Sequence, residues 1–238
     1  MKDRESGMKE DRIKQKATTM VDVLLLVLLS LLCCGLERAA AQVPIPPRID
    51  GFVYGADPPV WGKSVVVEAF FDPVCPDSRD SWPPLKKALR HYSHRLSLVV
   101  HTFALPYHSN AFIASRALHI ANRLNSSSTY PLLELFFKFQ EKYYNRPTYN
   151  LTRASIVDDI SRLATKVVGK DSLSSFLSGF NATETDSATR ISFKYGCSRA
   201  VTGTPFFFVN GIPLAVSGPV PDYKAWRDII DPLVAKQS

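Results

Sequence analysis

The chain has 238 residues, of which 45% are hydrophobic and 21% charged, a composition typical of a globular protein with enough apolar material for one core. The net charge is +7, of which residues 1–41 contribute only +1, and the basic residues after them are scattered, which disfavours nucleic-acid binding. The remaining +6 favours solubility or attraction to anionic surfaces.

Residues 1–41 have the pattern of a targeting segment. A charged stretch precedes the apolar run VDVLLLVLLSLLCCGL, and small residues follow up to a cleavage site at Ala41. This pattern predicts a secretory signal peptide, because the apolar run is shorter than the roughly 20 residues that span a bilayer. A signal anchor is the alternative. We expect no stable membrane insertion after the leader is removed.

The rest of the chain fits a secretory product. Three Asn-X-Ser/Thr sequons, at Asn125, Asn150 and Asn181, predict N-glycosylation. The C-terminal residues VAKQS do not form an ER-retention signal. The sequence therefore predicts passage through the secretory pathway to an extracellular or vacuolar location.

Two cysteines remain after the leader, which carries Cys33 and Cys34. Cys75 and Cys197 are far apart in sequence, and in an oxidising compartment they could form a structural disulfide. On the chain-entropy model such a bridge would stabilise the fold by roughly 4–5 kcal/mol. Cys197 is thus a candidate second thiol, and the sequence favours packing or a bridge as its role.

The first predicted elements of the mature chain are an irregular arm, a strand and a helix. Residues 42–63 are rich in Pro and Gly, whereas SVVVEAFF (64–71) is β-branched and aromatic and predicts a buried strand. A helix starts at CPDSRDS, with Pro76 in its first turn. Pro83–Pro84 predict that the helix restarts at Ser81 or Trp82, since proline fits only the front of a helix. The run LSLVVHTFAL (96–105) predicts a second strand.

The middle of the chain is predicted to be helical. Apolar residues recur at helical spacing in three main segments, 109–124, 130–144 and 152–168, and Thr152 is placed to cap the last of them. Further helical segments continue to about residue 200. TPFFFVNG then predicts a strand ending in an Asn210-Gly211 turn, IPLAVSG predicts the returning strand, and residues 222–234 predict a closing helix. Strand–helix–strand implies a parallel pair, to which the hairpin adds an antiparallel edge.

Two motifs in this framework resemble the DsbA-like branch of the thioredoxin superfamily. Cys75-Pro76-Asp77-Ser78 follows the first strand, where that family carries CPxC, and Gly203-Thr204-Pro205 matches the loop whose proline is cis in the family. The segment LPYHSNAFIASRA is similar to the family's entry into its helical domain. The resemblance covers residues 64–235 and implies an α/β, thioredoxin-like fold with an inserted α-helical domain.

The resemblance also implies a division of the mature chain. The first half of the thioredoxin fold would occupy residues 64–105, the helical insertion residues 106–196, and the second half residues 197–238. The family often has an acidic residue in the strand before the site, but Glu68 is one residue further away than expected, so that role is not transferred.

The motif places one thiol where a helix begins. Unpaired N–H groups and the macrodipole at a helix N-terminus favour the thiolate of Cys75, which is the nucleophilic form. Ser78 replaces the second cysteine of the family's motif, and its hydroxyl could donate to the sulfur. Because Ser78 cannot attack a mixed disulfide, release must come from an outside thiol such as glutathione or a substrate cysteine. This chemistry suits isomerisation rather than net oxidation.

The second motif supplies a surface for substrate. In the family the residue before the cis-proline offers its backbone to an extended polypeptide, a form of β-strand addition. By resemblance, Thr204 and Pro205, with Pro76 and Asp77 beside the thiol, would bind extended or unfolded polypeptides that carry thiols or disulfides. Such a groove can bind peptide without any turnover.

Three hypotheses of function follow. The first is monothiol thiol–disulfide exchange by Cys75, with glutathione as a candidate co-substrate and no bound cofactor. The second is a non-catalytic, chaperone-like peptide-binding module, and the third a glutathione-transferase-like role, for which no recognition motif is visible. A zinc site is disfavoured because the histidines lack metal-ligand spacing with Cys or acidic partners. His108 is interpreted as a helix-entry or surface residue, with tuning of the site as the alternative.

Overall fold

The computed structural model describes residues 22, 46, 48–55, 63–214 and 220–236. The predicted signal peptide, with Cys33, Cys34 and the cleavage site at Ala41, lies outside the described residues, as does most of the predicted N-terminal arm. The chain from Arg48 onward forms one compact unit, to which all the elements named below belong.

A mixed sheet of five described strands organises this unit. In chain order the strands are β1 (Phe52–Val53), β2 (Val65–Phe71), β3 (Leu96–Thr102), β4 (Phe206–Val209) and β5 (Ile212–Pro213). Their order in the sheet is β1-β3-β2-β4-β5, in which β2 and β3 are parallel and the other neighbours antiparallel. The central strand β2 is buried along its whole length, as its β-branched and aromatic residues, interrupted only by Glu68 and Ala69, predict.

Seven α-helices accompany the sheet within the described part of this unit. They are α1 (Pro76–Tyr92), α2 (Ala111–Leu124), α3 (Thr129–Phe139), α4 (Arg153–Val168), α5 (Leu173–Gly179), α6 (Thr183–Ser198) and α7 (Tyr223–Ala235). Helix α1 joins the two parallel strands, helices α2 to α6 lie between β3 and β4, and α7 follows the hairpin. The predicted α/β architecture with a helical insertion is therefore confirmed.

Local signals fixed several element ends. Thr152 caps α4, because its Oγ1 accepts a hydrogen bond of 3.1 Å from the N–H of Ser155. Asn210 and Gly211 turn the β4–β5 hairpin with φ angles of 48° and 82°, the left-handed conformation that Asn-Gly turns adopt. The sequence predicts the returning strand over IPLAVSG, but β5 comprises only its first two residues, and residues 215–218 of that prediction lie outside the described ones.

The prediction that the first helix restarts at Ser81 or Trp82 is wrong. Helix α1 is continuous from Pro76 to Tyr92, with Pro83 and Pro84 inside it. The reason is tertiary: α1 buries one face, whose residues recur at helical spacing, and this burial outweighs the local cost of the prolines. Two other predicted elements are shorter, since β3 ends at Thr102 and α3 ends at Phe139, where a short 3-10 helix takes over.

The two faces of the sheet differ in chemistry. Alternate residues of β2 place Val67, Ala69 and Phe71 in the main core with buried residues of α1 and α7, a surface that we call the apolar face. On the other side, Glu68 and Phe70 face α6, where charged and hydroxyl groups are buried, and we call this the ionic face. Among the described residues, no helix is long and apolar enough to cross a membrane.

Candidate functional site

The candidate site begins where β2 passes into α1. Cys75 is the N-cap residue of α1, with extended backbone angles (φ −86°, ψ 125°), and Pro76 occupies the first helical position. The N–H of Cys75 donates to the carbonyl of Asp72 at 3.0 Å, and its own carbonyl accepts from the N–H of Arg79 at 3.1 Å. The thiol is therefore attached at the N-terminal end of a helix 17 residues long, where the macrodipole favours negative charge.

The thiol faces the second predicted motif. Cys75 Sγ donates a hydrogen bond to the carbonyl oxygen of Thr204 at 3.4 Å, and the Thr204–Pro205 peptide bond is cis. Cys75 is only 3% exposed and packs in a small apolar cluster with Phe70, Phe103, Leu105, Val201 and Phe208. Two motifs separated by more than a hundred residues thus meet at one sulfur atom.

Ser78 lies one turn into α1 but is directed elsewhere than predicted. Its Oγ accepts a hydrogen bond of 3.3 Å from the N–H of Asp72, and it is fully buried. No described hydrogen bond joins Ser78 to Cys75 Sγ, so the expected donation to the sulfur is absent from this structure. The hydroxyl is drawn to the backbone because the turn leading into α1 brings the N–H of Asp72 to it.

The carboxylate of Asp72 is a feature that the sequence analysis missed. It is fully buried, and its oxygens accept from the N–H of Val74 at 2.9 Å and the N–H of Leu105 at 3.2 Å. Asp72 Oδ2 also lies 2.8 Å from Nδ1 of His108. This carboxylate ties the loop carrying Cys75 to the loop after β3. The polar residue directly after a buried strand, in FFDPVC, was the available signal.

Gln140 connects the helical insertion to the same loop. The side chain is buried at the end of α3, and its Nε2 donates to the carbonyls of Pro73 at 3.3 Å and Cys75 at 3.2 Å. Tyr144 donates in turn to Gln140 Oε1 at 2.8 Å. The insertion therefore helps to fix the backbone around the thiol, which no local pattern in the sequence indicates.

The rim of the site is polar and aromatic. Asp77 is exposed in the first turn of α1, while Pro76 and Pro205 are half-buried. Tyr107 is 62% exposed, and its partial burial, followed by nearby acidic groups such as Asp72 and Asp77, raises its pKa.

Cys197 takes neither of the two roles that the sequence favours, a packing residue or a disulfide partner of Cys75. It is exposed and free, and Cys75 is also free, so the two form no disulfide and Cys197 is not a packing residue. The preceding residue makes the close contact instead: a Cβ on Gly196 would lie 2.5 Å from Cδ2 of Phe103. Helix α6 turns its glycine inward at this level and its cysteine outward.

A buried ionic cluster, formed by Asp50, Glu68, His101 and Arg199, lies on the ionic face. His101 is fully buried, with Nδ1 2.8 Å from Asp50 Oδ2 and Nε2 3.5 Å from Glu68 Oε1. Arg199 donates to Glu68 Oε1 at 3.0 Å from the last turn of α6. Two carboxylates therefore face two basic groups.

The contacts within this cluster favour the charged form of each of its groups. Burial alone would raise the pKa of Glu68, but the nearby His101 ring and the hydrogen-bonded Arg199 outweigh it and lower that pKa to about 2. Burial likewise opposes the charge on His101, yet Asp50 and Glu68 raise its pKa above the ordinary value. The pKa of Asp50 is lowered despite its burial, mainly by His101. Nearby His119 has no such partner pair, and burial lowers its pKa to about 4.

The remaining predicted residues lie on the surface. Asn125, Asn150 and Asn181 are all exposed, as glycan attachment requires. Within the described ranges, no three His, Cys, Asp or Glu side chains are arranged to hold a metal ion.

No model of a known protein family matches this sequence, and no curated protein matches it either. The fold is nevertheless shared with solved structures. BdbD of Bacillus subtilis superposes with a TM-score of 0.62 at 15% identity over 78% of this chain and 93% of its own. MdbA of Actinomyces oris, a thiol-disulfide oxidoreductase, gives 0.60 at 16% identity over 80% and 90%. For α-DsbA1 of Wolbachia pipientis the score is 0.60 at 15% identity over 82% and 94%.

These similarities, which cover most of both chains, concern the whole architecture. The predicted thioredoxin-like fold of DsbA-like type, with its helical insertion, is confirmed.

Proposed function

We propose that this chain is a secreted protein that performs monothiol thiol–disulfide exchange, isomerase-like, with Cys75 as the nucleophile. The observation that carries the proposal is a free thiol at the N-cap of a long helix, held against the carbonyl of Thr204. The helix end supplies the unpaired N–H groups and positive potential that favour a thiolate. The similarity to thiol-disulfide oxidoreductases in fold makes the same use of the site reasonable.

The exchange has two balanced steps. The Cys75 thiolate attacks one sulfur of a substrate disulfide, forming a mixed disulfide as the original S–S bond breaks and the other substrate sulfur leaves as a thiolate. A second thiolate, from the substrate or from glutathione, then attacks the substrate sulfur of the mixed disulfide and releases Cys75 as thiolate. When the substrate supplies both sulfurs, no net oxidation occurs and its disulfides are rearranged.

Substrate recognition would use the loop at Thr204. The carbonyl of Thr204 is occupied by the thiol of Cys75 in this structure and is freed when the sulfur reacts. Its Oγ1 is buried and has no hydrogen-bond partner among the described residues, so a bound polypeptide would satisfy a polar atom that is otherwise costly. An extended segment pairing with this backbone, beside Pro76, Asp77 and Pro205, is the partner that fits.

Secretion and glycosylation belong to the same proposal. The leader pattern in residues 1–41 and the exposed positions of Asn125, Asn150 and Asn181 support an extracellular or vacuolar product with N-linked glycans. Treatment of the protein recovered from secretory cells with an endoglycosidase should lower its mass. Retention of the leader or an unchanged mass would contradict this part.

The thiol is tested by alkylation of the mature protein as a function of pH. Cys75 should react at pH values below about 8.5, where a free cysteine thiol ionises, and faster than in unfolded protein. Because Cys197 is exposed, the comparison uses Cys197→Ser, with Cys75→Ala/Cys197→Ser as the blank. An alkylation rate that reaches that of a free cysteine only after unfolding would contradict exchange.

A second candidate function, peptide binding without turnover, is favoured by the 3% exposure of Cys75. A substrate with scrambled disulfides separates the two functions. Recovery of its activity in the presence of glutathione should require Cys75 if the protein is an exchanger. If Cys75→Ala suppresses aggregation and aids recovery as well as the parent protein does, the protein is a binding module.

A further inference from the structure

A basic groove runs along α1 away from the thiol. The cavity measures about 610 Å³ and is bounded by α1 and α3. Five cationic side chains line it together with one carboxylate: Arg79, Lys86, Lys87, Arg90 and Lys138, with Glu134. We call this cavity the basic groove. It begins at Arg79, one helical turn after Cys75.

Most of the charge in the basic groove is not neutralised by the protein. Glu134 is already occupied, because its Oε1 accepts from Trp82 Nε1 at 3.0 Å and pairs with Lys86. Arg79 pairs with Asp80 and Glu141 at the thiol end. Within the part of the chain that the structure describes, no carboxylate pairs with Lys87, Arg90 or Lys138. The ammonium group of Lys87 lies over the ring of Tyr223, and that of Lys138 lies over the ring of Phe139.

The floor of the basic groove is apolar. Trp82 and Phe137 are 5% and 6% exposed and belong to the core below the groove, and exposed Pro83 supplies accessible apolar surface in its lining. From Arg79 to Arg90 the helix extends about 16 Å, which matches about five residues of extended polypeptide.

We propose that the basic groove binds an acidic segment of a partner polypeptide, in which carboxylates alternate with apolar side chains. Carboxylates of the segment pair with Lys87, Arg90 and Lys138, and its apolar residues pack against exposed Pro83 and the methylene stems of the lysines. The exposed ring of Pro83 and the apolar lysine stems favour such a peptide over a uniformly charged polyanion, which would leave them in water. Binding requires no chemistry at Cys75, so this proposal stands independently of the proposed exchange activity.

The test measures binding of a fluorescent eight-residue peptide of alternating Glu and Leu to the mature chain carrying Cys75→Ala. We expect binding that weakens as salt increases, since exposed charge pairs are screened. The matched peptide with Gln in place of Glu should bind at least about tenfold more weakly. Equal binding of the two peptides would overturn the proposal.

Variants locate the site. The triple reversal Lys87→Glu/Arg90→Glu/Lys138→Glu should weaken binding about tenfold or more, and the milder triple change to Gln by a smaller factor. The matched control reverses three exposed cations outside the groove, Arg146, Lys170 and Lys236, and should bind as the parent does. Equal loss in groove and control variants would show general charge attraction and overturn the proposal.

Competition identifies the occupant. Heparin and vesicles containing anionic lipid are compared with the peptide at equal salt. Displacement of the peptide only at much higher concentrations of either supports a polypeptide partner, whereas tighter binding of heparin or vesicles to the groove overturns it. Circular dichroism of each variant, with an unchanged melting curve required, ensures that lost binding is not lost folding.

Discussion

The apolar face and the ionic face of the sheet are built from the same strand by different means. On the apolar face Phe71 packs among other rings, and its ring centroid lies 6.0 Å from that of Phe207. Each such contact is small, and many neighbours share the stabilisation. On the ionic face Glu68 depends on three particular partners, His101, Arg199 and Tyr195. A buried strand can therefore carry a charged side chain when that group is paired, but the stability of that face then depends on a few particular residues.

The charge balance of the ionic face explains why it tolerates burial. Where His101 is protonated, it and Arg199 balance the carboxylates of Asp50 and Glu68, so the cluster is then neutral as a whole. Arg199 also lies 3.9 Å over the ring of Phe208, which shields part of its guanidinium from water. Loss of any one partner would leave an uncompensated charge against the sheet.

Truncation on the apolar face is expected to have the largest effect. Phe71→Ala removes a ring that is 1% exposed and should lower the free energy of unfolding by about 3–5 kcal/mol, because the lost burial is joined by a cavity. Urea denaturation followed by circular dichroism measures it. The control is Ile212→Ala at the exposed hairpin, where a change within about 0.5 kcal/mol is expected. A loss for Phe71→Ala no larger than for the control would mean that this face is not the core.

On the ionic face, Glu68→Gln should cost about 1.5–3 kcal/mol at neutral pH, since hydrogen bonds to a charged group are lost. The pH dependence is more specific. Because the pKa of Glu68 is lowered from 4.5 to about 2, its contribution is fully present above 4.5 and is lost as pH falls toward 2. The variant should therefore lose less stability than the parent over this window. Glu184→Gln, at a fully exposed ion pair, is the control and should retain the parent's acid sensitivity.

The sequence predicted the apolar face far better than the ionic one. The run SVVVEAFF predicts a buried strand by itself. The helix cap at Thr152 and the turn at Asn210-Gly211 depend only on residues close to them in sequence, so they can be predicted as well. The ionic cluster assembles from four separate segments, so no local pattern reveals it. Tertiary burial likewise explains why the proline signal in α1 failed.

The candidate site shows the same division. The position of Cys75 at a helix start could be predicted, because a strand followed by Cys-Pro fixes it locally. The direction of the Ser78 hydroxyl could not, since the N–H of Asp72 decides it. The contacts of Asp72 and Gln140 could not be predicted either. Asp72 accepts a hydrogen bond from Leu105 in the loop after β3, and Gln140 donates from the helical insertion to the carbonyl of Cys75.

A smaller effect is expected where α6 meets the ionic face. Gly196→Ala places a Cβ 2.5 Å from Phe103 Cδ2. Such overpacking lowers the free energy of unfolding by about 1–3 kcal/mol. Alanine is more favourable than glycine within a helix by roughly 0.5–1 kcal/mol, which offsets part of this loss. We expect a net loss of about 1 kcal/mol in urea denaturation. Gly203→Ala, where an added Cβ meets nothing within 4 Å, should be close to neutral. A stabilised Gly196→Ala variant would show that Phe103 yields freely.

The most specific distinction between the two faces lies in their response to alkaline pH. The pKa of His101 is raised above 6.5, so its contribution is fully present below 6.5 and is lost as pH rises through the folded value. Stability should therefore decline above pH 6.5 by no more than about 1.4 kcal/mol per pH unit, the limit for one proton. His101→Gln should abolish this decline, while His94→Gln, at an exposed position, should preserve it. If parent stability instead rises through this range, His101 is neutral in the folded protein, and the balance of two carboxylates against two cations does not hold.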